Sequence, residues 1–137
     1  MKVPFRPRGE AGAPDPRRAL VGLLGPCPQC GCDAEGHAHW RLASAARNCR
    51  RGREAEIEGL IAAGAWGEAA DVREWRAGAE VVEYYALRCP KSPLLSLKKV
   101  VFSAALDGDV RELADRVLSA ADTAVLATLA AGQWRNL

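Results

Sequence analysis

Long apolar runs are missing from this 137-residue chain, and so are the motifs that most readily name an enzyme. No stretch approaches the ~20 consecutive apolar residues that a helix needs to cross a bilayer, which excludes a helical membrane span. The first fifteen residues, rich in Pro, Gly and Arg, hold no apolar segment of the kind a secretory signal carries, so a cytoplasmic setting is expected. There is no P-loop, dinucleotide fingerprint, HExxH helix or nucleophile elbow. No carboxylate pair stands apart for acid–base work, since Glu54, Glu56, Glu58, Glu68, Asp71 and Glu74 read as a solvated helix face. These absences point to a non-enzymatic protein. Disorder is excluded as well: at 49% hydrophobic residues and a net charge of +2, the chain has enough apolar material for a core.

Gly and Pro punctuate what is there. Met1–Pro14, with Pro4, Pro7, Gly9, Gly12 and Pro14, is expected as a flexible arm, and residues 15–137 as a single helical domain. Asp15-Pro16 is a helix start, with Leu20, Leu23 and Leu24 on one side and Gly25-Pro26 as the stop. Cys27 to Gly36 is a loop. Leu42, Ala46 and Cys49, then Ile57, Leu60 and Ile61, recur at helical spacing, with Gly52 dividing the stretch and Gly64 ending it. Trp66 opens another helix, and Leu94, Leu97, Val101 and Ala104 form a stripe behind the Ser92-Pro93 start signal. Val110, Leu113, Val117 and Ala121 form the next stripe, and Asp122 caps a last helix ended by Gly132. Glu80–Arg88 suits a helix or one short strand, because Val81, Val82, Tyr84 and Tyr85 are strand formers that also share a helical face. The expected fold class is therefore all-α, an irregular bundle of six or seven short helices with a Cys-containing loop near its amino end.

Five cysteines lie at 27, 30, 32, 49 and 89, an odd number that fits disulfides poorly. Cys27-Pro28-Gln29-Cys30-Gly31 puts two thiolates three residues apart, and the Gly permits a turn that aims backbone N–H groups at sulfur. These five residues resemble the CPxCG knuckle of zinc-ribbon proteins, which implies a structural zinc. A full ribbon would carry a second pair, but Cys89-Pro90-Lys91-Ser92 ends in Ser. The expected site is consequently mixed: Cys27, Cys30, His37 and Cys49, with Cys32, His39 and Cys89 as other candidates. Cys27-Pro28-Gln29-Cys30 is also similar to the CPxC centre of glutaredoxin-like proteins, a resemblance that implies thiol redox chemistry at a helix N-terminus.

Charge is unevenly spread. Through Arg53 there are ten basic residues against four acidic ones, and after it nine against thirteen. Arg41, Arg47, Arg50, Arg51 and Arg53 fall in a window without an acid; on a helix, several of them would meet successive phosphates. The expected function is a small helical module, stapled by zinc, that meets nucleic acid or a nucleoprotein assembly through this stretch. The alternative is an interaction adaptor without metal, whose arginines meet an acidic protein partner.

Overall fold

Glu80–Arg88 is a strand at the centre of a five-stranded antiparallel sheet, and seven of its nine residues are buried. A computed structural model describes residues 16–47, 52–74, 80–103 and 110–137. Helix α1 (Pro16–Leu24) is followed by β1 (Ala38–Arg47), α2 (Gly52–Ala62), α3 (Trp66–Ala70), β2 (Glu80–Arg88), β3 (Leu95–Ser103), β4 (Val110–Val117), α4 (Ala120–Ala130) and β5 (Arg135–Asn136). The order across the sheet is β4-β3-β2-β1-β5, with every neighbouring pair antiparallel. Among the described residues, no helix is long and apolar enough to cross a membrane.

The all-α expectation is overturned: the described residues form a five-stranded antiparallel sheet with four helices. Three segments expected as helix are strands: residues 38–47, 95–103 and 110–117. For the first two the cause is burial on both faces, whereas residues 110–117 are exposed throughout. A strand covered on one face alternates apolar and polar residues, whereas one sandwiched between layers is apolar throughout and loses that period. In β1 only Arg41 is exposed and Arg47 partly so. Its many alanines, which favour helix locally, here keep the sheet thin enough for helices to pack on both sides. β3 adds Lys98, fully buried, which donates to the Pro26 carbonyl at 2.6 Å and to Asp115 at 2.8 Å. The last helix also starts earlier than expected: Ser119 caps it by accepting from the Asp122 amide at 3.0 Å, so Asp122 lies within the first turn. The expected arm, along with Cys49, Arg50 and Arg51, lies outside the described residues.

The sheet divides two cores. On one face Trp40, Leu42, Val82, Tyr84, Leu97 and Val101 pack against α2, α3 and α4 through Ile57, Ile61, Trp66, Ala69 and Leu126. Above this core run ion pairs from Arg47 to Glu54 (2.6 Å) and Glu112, and from Lys99 to Glu54 (2.8 Å) and Glu58 (2.6 Å). On the other face Tyr85, Leu87 and Val100 meet Leu24 of α1 and the cysteine loop.

Candidate metal centre

The loop from Gly25 to His37 crosses that second face while burying only Cys27, Ala34 and His37. It is a sharply folded segment. Gly31 adopts φ +77°, a conformation that a side chain would strain. The Gly31 amide donates to the Cys27 carbonyl at 2.9 Å, and the Cys27 amide to the Cys32 carbonyl at 2.7 Å. This winding turns the sulfurs of Cys27 and Cys30 inward. The tight turn after β2 brings Cys89 to the same point, closed by the Ser92 amide donating to the Cys89 carbonyl at 3.2 Å. His37 arrives from the residue preceding β1.

One ligand atom from each of Cys27, Cys30, His37 and Cys89 lies within 4.8 Å of all the others. Three are buried, with Cys27 and Cys89 each 1% exposed and His37 4%; Cys30 is half-buried. Each sulfur is met by the amide two residues further along the chain. Gln29 donates to Cys27 Sγ at 3.3 Å, Cys32 to Cys30, and Lys91 to Cys89. Amides aimed at sulfur stabilise thiolate, the form that ligates metals. The Cys32 amide does most to hold the Cys30 thiol down, from 9.0 to about 6; at Cys89 burial prevails and pushes the thiol up.

The imidazole is oriented as a ligand. His37 Nδ1 lies 3.1 Å from the Glu35 carbonyl, which can only accept, so Nδ1 carries the proton. Nε2 is left as a lone pair, 3.5 Å from Cys30 Sγ. A ring nitrogen fixed by a backbone carbonyl is the usual outer support of a metal-bound histidine. The residues present therefore fit a metal ion: this Cys27/Cys30/His37/Cys89 group could hold one.

Three of the four expected ligands are thus brought together, and Cys89 stands with them; Cys49 falls outside the described residues. The signal for Cys89 was the second Cys-Pro-x run, which presents one sulfur and one amide even though Ser92 closes it. Cys32 is exposed and outside the group. His39 is outside the group as well, with its Nδ1 3.0 Å from the Arg135 carbonyl. The CPxC run follows the end of α1 and leads into β1, so neither sulfur occupies the helix N-terminus that a glutaredoxin-like centre uses.

The expected arginine surface is engaged internally where it is described. Arg41, on β1, pairs with Glu83 at 2.9 Å. Arg47 is held between Glu54 and Glu112, and Arg53, in the first turn of α2, pairs with Glu56 at 3.2 Å. No family model matches this chain, and no curated protein or solved structure matches it.

Proposed function

We propose that this protein is a non-enzymatic binding module whose amino-terminal loop is held to the sheet by a structural zinc ion on Cys27, Cys30, His37 and Cys89. The observation that carries the reading is the convergence of four Cys and His ligand atoms from three separate parts of the chain within 4.8 Å. Thiolates with one imidazole form a donor set that favours zinc over harder divalent cations. Structural zinc sites take all four ligands from the protein, whereas catalytic ones keep a position for water or substrate. Here four residues supply the set, and three of them are buried. The ion would join the α1–β1 loop to the β2–β3 turn, giving order to a segment with few apolar contacts of its own. The Arg41–Arg53 stretch does not by itself support a nucleic-acid surface, because Arg41, Arg47 and Arg53 already meet carboxylates of the same chain.

Native mass spectrometry of purified protein tests this assignment. One zinc per chain is expected in the parent and in Cys49→Ser, with loss of the ion in Cys27→Ser and Cys89→Ser. A parent without metal, or a Cys49→Ser variant that loses it, would overturn the ligand set.

A further inference from the structure

Between β5 and the segment after α3, no strand among the described residues covers the outer edge of β1. β5 pairs with Ala38 and His39 at one end, and residues 72–74 bond to Ser44 at the other. The interval opens into a cleft of about 490 Å³ beside α1, lined by His39, Trp40, Arg41, Arg73, Tyr85 and Arg135, among others. That volume falls in the range of small-ligand sites, roughly 300–1,000 Å³.

Its charge is lopsided. Arg41 comes from β1, Arg73 from one flank and Arg135 from the other. Two carboxylates stand near Arg73, Asp71 and Glu83; Glu83 is buried and already accepts from Arg41 at 2.9 Å and from the Tyr85 hydroxyl. Arg73 donates to the Arg41 backbone carbonyl at 2.9 Å, which fixes its guanidinium at the rim. Neither Arg73 nor Arg135 has a carboxylate within ion-pair distance among the described residues. Partial burial first, and then the neighbouring Arg41 charge, work against the charged form of Arg73 and outweigh the support that Glu83 and Asp71 give it. An anion in the cleft would relieve that repulsion.

We propose that this cleft binds a phosphate ester, with the phosphate held by Arg73 and Arg135 above Arg41. A planar carboxylate can be satisfied by one guanidinium fork, whereas a tetrahedral phosphate offers oxygens in several directions. The cleft is larger than a phosphate needs and has room for the attached sugar or base. A free nucleotide and a nucleic-acid strand both present this group. The cleft is built from residues other than the metal ligands, so the proposal stands apart from the zinc assignment.

The test is binding of adenosine diphosphate, followed by calorimetry, and of a fluorescein-labelled oligothymidylate, followed by anisotropy. The zinc-loaded full chain is used in both, with near-ultraviolet circular dichroism as the check on folding. At least one probe should bind. Loss of a charge-assisted hydrogen bond predicts roughly 10-fold weaker binding for Arg73→Gln and for Arg135→Gln separately. Arg116→Gln, the same charge change on exposed β4 at the far edge of the sheet, should bind as the parent does. Preference for the diphosphate identifies a nucleotide site, and preference for the oligomer identifies a strand; either supports the proposal. Failure of both probes to bind the parent overturns it. So does an Arg116→Gln effect as large as the others, or tighter binding of polyglutamate, which would assign the cleft to an acidic protein. Arg135→Gln keeps the proposal testable should loss of the Arg73 bond disturb the rim.

Discussion

Eighteen buried residues, drawn from three strands and helices α2, α3 and α4 as well as their connections, form one mass on one face of the sheet; the opposite face has seven, two of them cysteines of the candidate metal group. Burying a large apolar side chain is worth about 1.5–3 kcal/mol, while ordering one residue of backbone costs about 1–2 kcal/mol. The first face therefore holds its helices mainly by apolar contact, with the Arg47–Glu54–Lys99–Glu58 network laid across the top. The second must order a thirteen-residue loop around three buried positions, two of which are ligands. Small apolar yield and a convergent ligand set occur together, and under the proposed zinc assignment the ion does there what area does elsewhere. One sheet thus carries two solutions to the same problem.

The comparison breaks most sharply on removal of metal. With free zinc at a thousand times its Kd, the ion contributes about 4 kcal/mol. Chelation should abolish hydrogen-exchange protection from Gly25 to His37 and in the β2–β3 turn, while α2 and α4 stay protected. Uniform loss of protection would show that the two faces are one cooperative unit. Leu126→Ala probes the apolar face: a loss of about 3 kcal/mol in urea unfolding is expected, with zinc content unchanged.

Acid sharpens the comparison from the other side. Hydrogen bonds from Arg47, helped by Lys99, pull the Glu54 carboxyl from its ordinary 4.5 down to about 2. Its folded value is depressed, so its contribution is complete above pH 4.5 and disappears as pH falls from there to about 2. That contribution is about 2 kcal/mol, reduced from the full shift because Lys99 and Glu112 stand partly in water. Glu54→Gln should flatten the decline in stability across this window in acid titrations of the zinc-loaded protein. An unchanged profile would remove the ion pair from the account of this face.

Punctuation was legible in the sequence and the sheet was not. Pro16 and Gly25 bound α1, and Trp66 opens α3, because helix ends depend on local backbone chemistry. The strands failed for a different reason. Ala43, Ala45 and Ala46 in β1 suit a helix taken alone, and only the layers above and below make them strand residues. In β3, Leu97 and Val101 face α2, α3 and α4, whereas Val100 faces α1, so a stripe with helical spacing concealed a strand buried on both sides. β4 misled more directly, since all its residues are exposed and Val110, Leu113 and Val117 satisfy helical spacing by chance of composition. The metal group was partly legible: Cys27 and Cys30 are local, and His37 is seven residues away. Cys89 comes from more than fifty residues downstream, at a turn whose place against the loop depends on the sheet that composition concealed.

Lys98 gives this arrangement a reach beyond its immediate neighbours. Its wholly enclosed ammonium is shared between Asp115 on the outermost strand and the carbonyl just ahead of Cys27. If the clasp opens and that carbonyl withdraws, the cation must find water or follow it, since an enclosed charge short of a partner is costly. Loss of the ion would then register two strands away, as fraying between β3 and β4, and the exposed border of the sheet would report on the occupancy of a site it never touches.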